Sequence, residues 1–238
     1  MKNLVFLLIF LPVLSIGQKK ITLPSLDGLL ITADLYEVAN SSEVLILCHQ
    51  AGSSRGEYRA TAKKLNDLGF TCLAIDQRSG NTMKSVKNET AERAKEKSLK
   101  IGFLDAKQDV VAAINYAYEA YVKKIILVGS SYSAALTIKV GVEHANKVKA
   151  VAAFSPGEYF GEKYKVGQTA KKLKQPVYIT SSKSESDKTG EIFDSIASSK
   201  KVHFIPKNAG KHGASALMEE TENNKEYWES FTTFLISI

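Results

Sequence analysis

The stretch Ile125-Ile126-Leu127-Val128-Gly129-Ser130-Ser131-Tyr132-Ser133-Ala134-Ala135-Leu136 constrains this chain more than any other. Its first four residues form a continuous apolar run, the pattern of a strand buried on both faces. The run stops at Gly129, and a helix-compatible pattern begins after Tyr132. A chain that passes so quickly from strand to helix must turn sharply, with the residue at the tip held in a strained conformation. Positions two before and two after that tip lie against neighbouring backbone and accept only small side chains. Gly129 and Ser133 meet that demand around Ser131, giving a G-x-S-x-G nucleophile turn with serine in place of the last glycine. Ser131 is the candidate nucleophile and Ser130 its nearest rival. Short Gly/Ser strings also mark ordinary turns, so the assignment depends on what the rest of the chain supplies.

The flanking pattern supplies a sheet. Lys20 to Leu23 and Leu29 to Tyr36 read as strands joined through Asp27-Gly28, a hairpin signal. Val44 to Cys48 and Thr71 to Ile75 are further apolar runs, separated by a helical pattern from Tyr58 to Leu68 that closes at Gly69. Asp105 to Tyr121 is an amphipathic helix with Val110, Ala113, Ile114 and Ala117 on one face. After the Ser131 helix come strands at Val148–Phe154, Pro176–Thr180 and Val202–Ile205, a helix at Ile192–Ala197, and a closing helix from about Glu222 to Leu235. Strands alternating with helices after an initial hairpin predict a mostly parallel, doubly wound sheet with helices on both faces. Ligands bind beyond the C-terminal strand ends of such a sheet. The charge-rich segment 79–102 reads as a solvated surface loop.

The first seventeen residues stand apart. Lys2 provides a positive start, Leu4 to Leu14 is almost wholly apolar, and Ser15-Ile16-Gly17 places small residues at a cleavage point. The apolar run is short for a bilayer span and Pro12 interrupts it. This predicts a signal peptide over residues 1–17 and one exported domain over 18–238, periplasmic or secreted, with no stable membrane insertion after cleavage. Removing Lys2 lowers the formal charge from +7 to about +6. Lysines spread along the whole chain explain that excess as a solvated surface, and no arginine cluster or basic aromatic stripe suggests a nucleic-acid partner. In an exported protein Cys48 and Cys72 raise the question of a disulfide. In parallel neighbouring strands they would differ in level by about three residues, or ~10 Å, beyond disulfide reach. Two buried thiols are expected.

A serine nucleophile needs a base, and the base an acid. Of four histidines, His49 ends a strand and suits a turn-holding role, His144 ends a helix, and His203 lies within a strand. His212 lies in the glycine-flanked loop Asn208-Ala209-Gly210-Lys211-His212-Gly213-Ala214, directly after the last strand, at the sheet edge where Ser131 sits. It is the base candidate. The loop after Thr180 offers two carboxylates, Glu185 and Asp187. An oxyanion hole needs two backbone N–H groups. Tyr132 supplies one, and Gln50 or Ala51 in the turn His49-Gln50-Ala51-Gly52-Ser53-Ser54 supplies the other. Cysteine/histidine metal spacing and phosphate-binding glycine loops are both absent from the sequence, so no metal or organic cofactor is expected.

Four motifs in order, Leu47-Cys48-His49-Gln50-Ala51-Gly52, Ala74-Ile75-Asp76-Gln77-Arg78, Val128-Gly129-Ser130-Ser131-Tyr132-Ser133 and Gly210-Lys211-His212-Gly213, resemble the α/β-hydrolase superfamily. The branch they are most similar to is that of small dienelactone-hydrolase-like esterases, over roughly Val44 to Gly213. The resemblance implies the α/β-hydrolase fold and the chain order nucleophile, acid, histidine. It also implies Glu185 as the acid, since counting from Pro176 places it where the family has its carboxylate. Asp187 then takes the role of cap for a helix beginning near Lys188. The sequence departs from the family at Ser131, where dienelactone hydrolase itself has cysteine, at Ser133, at Ser182 and Glu185, and at Gln50-Ala51. The short segment Pro156–Lys174 leaves no room for a large cap domain, and its Tyr159, Phe160 and Tyr164 are candidates for lining a substrate pocket. The expected activity is cleavage of a small-molecule carboxylic ester through an acyl-enzyme. The rivals are peptidase or thioesterase chemistry on the same residues, or a non-catalytic binding protein that keeps the fold.

Overall fold

The computed structural model describes residues 17–121 and 124–238. All but the last residue of the segment read as an export signal therefore lies outside the described residues. Eight strands are hydrogen-bonded in one sheet: β1 (Lys19–Pro24), β2 (Leu30–Tyr36), β3 (Glu43–Cys48), β4 (Thr71–Ile75), β5 (Lys124–Ser130), β6 (Val148–Phe154), β7 (Val177–Thr180) and β8 (Lys201–Phe204). Their spatial order is β1-β2-β4-β3-β5-β6-β7-β8. The opening hairpin pairs antiparallel and joins β4 antiparallel. Every pairing from β4 to β8 is parallel.

Parallel strands are joined by crossovers that cover both faces. The helices are α1 (Arg59–Asp67), α2 (Glu89–Glu96), α3 (Lys107–Tyr121), α4 (Tyr132–Glu143), α5 (Val166–Ala170), α6 (Ser186–Ser195) and α7 (Asn224–Ser237). One face of the sheet, with Val44, Ile46, Ile125 and Leu127, packs against α3, α4, α5 and α6. The other, with Leu45, Leu47, Ile126 and Val128, packs against α1 and α7. The alternation along β3 and β5 thus feeds two cores, as the unbroken apolar runs require. Leu127 has no exposed surface, and truncating such a residue to alanine costs ~2–5 kcal/mol. Cys48 and Cys72 are both buried free thiols. In the β3–β4 register Cys48 lies opposite Ile75 and Cys72 opposite Leu45, three residues apart.

Two sequence expectations fail. Segment 79–102 is not a solvated loop, because α2 forms within it and buries Thr90, Ala91 and Ala94. Asn88 starts that helix by accepting from Ala91 N–H at 2.8 Å. Buried Arg55 ties the segment further, at 2.6 Å to Asp76 and 2.9 Å to Glu89. The helix expected at 192–197 begins six residues earlier, at Ser186. Asp187 therefore lies within its first turn, where a carboxylate suits the helix dipole, and does not cap it.

Between β6 and β7 the chain forms only a short 3-10 turn (Gly161–Lys163) and α5. The C-terminal ends of β3, β5, β6 and β7 consequently open at one edge without a large insertion above them. Among the described residues, no helix is long and apolar enough to cross a membrane.

Candidate active site

Ser131 sits between β5 and α4 with φ +59° and ψ −122°. L-residues avoid positive φ, and the packing around the turn holds it there. A Cβ on Gly129 would come within 2.4 Å of the Ser133 carbonyl oxygen. Only glycine therefore allows the strand to fold back onto its own helix. Ser133 locks the far side, donating to the His49 carbonyl at 2.6 Å and accepting from Gln77 Nε2 at 2.9 Å. Ser131 keeps 8% exposure, against none for Ser130 and Ser133. Of the three serines, only the one at the tip of the turn meets solvent.

His212 Nε2 lies 2.9 Å from Ser131 Oγ. Its Nδ1 lies 2.5 Å from Glu185 Oε1. Three residues from the ends of β5, β7 and β8 thus form one hydrogen-bonded line. Among the described residues, Asp187, the other carboxylate offered by that loop, is bonded only by its neighbour Ser186. Glu185 sits in a 3-10 turn (Lys183–Glu185) closed by a reciprocal cap with Ser182. Burial opposes its ionisation, but hydrogen bonds from His212, Ser182 and Ser155 outweigh that and hold its pKa at about 2. The hydrogen bond that His212 donates to Glu185 in turn raises the pKa of His212 above its usual value, against the opposing effect of burial.

The loops carrying acid and base are cross-linked. Lys183 N–H donates to the Ala209 carbonyl at 2.8 Å. Tyr227 of α7 donates to the Ser181 carbonyl and accepts from Lys211 N–H. Ser155, at the end of β6, donates to Glu185 Oε2 at 3.0 Å and accepts from Gly213 N–H at 2.9 Å. Ser130 accepts from Ala214 N–H at 2.9 Å. Its hydroxyl, the rival nucleophile of the sequence reading, is thus occupied in holding the histidine loop. Gly213 has φ +65°, and a Cβ there would meet Ser130 Oγ at 2.5 Å. Glycine is required directly after His212.

Facing Ser131, the turn after β3 is held by buried His49, whose Nδ1 lies 2.8 Å from the Gln50 carbonyl while Nε2 accepts from Gln77 N–H. Asn88 Nδ2 adds bonds to the Gln77 and Ser53 carbonyls, so the segment around α2 braces this turn. Of the two N–H groups proposed here, Gln50 donates to Glu57 Oε2 at 2.9 Å. The Gln50 N–H is therefore engaged, and the Ala51 N–H has no acceptor among the described residues. Tyr132 N–H, at the first position of α4, has no intrahelical acceptor. Of the three N–H groups named from the sequence, those of Ala51 and Tyr132 are thus without an acceptor among the described residues.

Two cavities share Tyr159 as a wall, and the first of them reaches the site. One of about 770 Å³ reaches from His212 and Glu185 to α6. The other, of about 790 Å³, lies between Phe103 and Phe160. Tyr159 lines both, with its hydroxyl donating to the Ser155 carbonyl at 3.0 Å. Tyr164 lines neither. Its ring lies 4.4 Å beneath Lys139 Nζ of α4 and packs on Phe160 and the core, so it supports the wall and does not form it. Sequence reading missed Ser155, Glu57 and Phe103. The S-x-x-E signature at Ser182–Glu185 would have placed the acid turn and the start of α6. Among the described residues, no group of three or more His, Cys, Asp or Glu side chains is arranged to hold a metal ion.

This sheet order, with a serine at the strand–helix turn and a histidine after the last strand, defines an α/β-hydrolase fold. The family model described as serine aminopeptidase, S33, matches residues 39–227, and the chain belongs to that family. Solved structures similar to it include the esterase Pf2001 of Pyrococcus furiosus, 16% identical with a TM-score of 0.73, covering 93% of this chain and 92% of that one. Dienelactone hydrolase from Anabaena variabilis is 15% identical with a TM-score of 0.72, over 93% and 97% of the two chains. Est1E from Butyrivibrio proteoclasticus, solved with ferulic acid bound, is 15% identical with a TM-score of 0.71, over 91% and 98%. At these identities the likeness is one of fold. Comparison with curated proteins finds no match.

Proposed function

We propose that the protein is an exported serine hydrolase that cleaves small-molecule carboxylic esters through an acyl-enzyme. The observation that carries this reading is the line Ser131–His212–Glu185, at 2.9 and 2.5 Å, with the serine on a strained turn. Neutral His212 accepts the Ser131 proton as Oγ attacks the ester carbonyl carbon. Negative charge develops on the carbonyl oxygen beside the Ala51 and Tyr132 N–H groups. As the intermediate collapses, the bond from carbon to the leaving oxygen breaks and His212 Nε2 returns the proton to that oxygen. Water, deprotonated by the same nitrogen, then releases the acid and restores Ser131. Glu185 stays ionised throughout and favours the protonated histidine. Thioester and amide cleavage use the same residues, and the S33 description keeps a peptidase reading in view. A non-catalytic role fits poorly with an uninterrupted hydrogen-bonded line that ends on a solvent-reached serine. Hydrolysis of phenyl acetate by the purified protein, abolished in Ser131→Ala, tests the proposal, and turnover retained by that variant would overturn it.

A further inference from the structure

The two cavities that Tyr159 separates differ in chemistry, and His212, which lines only one of them, decides which part of an ester each receives. The leaving oxygen must take its proton from His212 Nε2, so the leaving alcohol lies toward the cavity that His212 lines. That cavity is acidic, with Glu191, Glu158 (held by the Val166 and Gly167 N–H groups) and Glu185 (held by His212) against Lys188. The acyl group is left to the other cavity. There Phe103 stacks on Tyr132 with ring centroids 4.4 Å apart and 16° between planes, directly over the residue whose N–H faces the oxyanion. Phe103 and Tyr159 are 36% and 37% exposed, so both leave ring surface open to a ligand in this cavity. Lys100 and Lys163 line the same cavity and form no ion pair among the described residues. Of its two acids, Glu162 is paired with Lys165 at 2.8 Å and Asp105 accepts from Gly102 N–H at 3.0 Å.

We propose that the cavity between Phe103 and Tyr159 is an acyl site for a planar aromatic acid that carries an anionic substituent at its far end, held there by Lys100 and Lys163. The ring of the acid lies along the exposed edges of Phe103 and Tyr159, where aromatic contacts add to burial, and the anion meets two ammonium groups not committed to a carboxylate. An anion on the alcohol side would instead face the three glutamates. The inference rests on the ester-hydrolase reading and gives its substrate a class.

Matched esters test it. Methyl benzoate and the monomethyl ester of terephthalic acid differ by one acyl-side carboxylate, and phenyl acetate and 4-acetoxybenzoate by one on the leaving side. The acyl-side carboxylate is expected to raise kcat/KM by about 5–10-fold at low salt, and the leaving-side one to lower it. The Lys100→Ala/Lys163→Ala variant is expected to erase the acyl-side ratio, and 0.5 M salt to shrink it. A Lys63→Ala/Lys225→Ala variant, with the same loss of charge on distant exposed residues, keeps the ratio. A Ser131-dependent cleavage of phenyl acetate with no acyl-side preference, or a preference indifferent to the two lysines, overturns the inference and leaves the ester-hydrolase reading standing. No hydrolysis of any of the four esters overturns both.

Discussion

Replacing Ser155 by alanine removes two hydrogen bonds at once, the donation to Glu185 Oε2 and the acceptance from buried Gly213 N–H. The N–H is left without a partner, a loss of ~1–3 kcal/mol. For a chain of this size each kcal/mol lowers Tm by roughly 2–4 °C, so the expected fall is about 2–12 °C. Glu185 keeps its bonds to His212 and to Ser182. Losing one hydrogen bond to a charged group is therefore expected to lower kcat/KM by about tenfold, well short of the ~10⁴ that removal of an orienting acid can cost. Ser155 also has φ +56°. Ser155→Gly loses the same two bonds but relieves the backbone, and is expected to be about 0.5–1 kcal/mol more stable than Ser155→Ala. Chemical denaturation of the three proteins, alongside ester hydrolysis, reads both effects. Unchanged stability in Ser155→Ala, or inactivation as deep as that of Ser131→Ala, would refute this account of how acid and base loops are joined.

Three further outcomes follow from the same geometry. His212→Ala should be as damaging as Ser131→Ala because the line acts as a unit, and Glu185→Gln should inactivate while Asp187→Asn does not; steady-state kinetics on phenyl acetate separate them. The acid limb of kcat/KM against pH should rise as His212 loses its proton. Because Glu185 raises that pKa, residual activity of Glu185→Gln should show a limb moved to lower pH, and an unmoved limb would deny the coupling. Mass spectrometry of the protein recovered from producing cells should find an N-terminus near Gln18, whereas an intact Met1 would overturn the export proposal.

The parts of this molecule legible in its sequence are those whose physics is local. Unbroken apolar runs named the interior strands because a strand buried on both faces has no polar side to show. Gly129 and Ser133 marked the turn because backbone packs against those two positions. The polar helix α2 was missed because it buries only Thr90, Ala91 and Ala94, residues too small to produce an apolar stripe. The start of α6 was missed for the same reason, since Ser186 to Gly190 carries no large apolar residue. Ser155 acts through partners far away in sequence, at Gly213 and Glu185, and Glu57 through a bond back to the turn at Gln50. No spacing rule reports such contacts. Tyr164 was an aromatic in the right segment facing the wrong way, a distinction that depends on packing against α4.

The central claim is that Ser131 is a nucleophile activated by His212 and Glu185. A fluorophosphonate probe measures this directly, since it forms a stable phosphonyl bond only with an activated hydroxyl, and peptide mass spectrometry locates the adduct. A single adduct is expected on Ser131, formed slowly or not at all in His212→Ala and Glu185→Gln. An adduct on Ser130, or equal labelling of Ser131 with His212 removed, would contradict it.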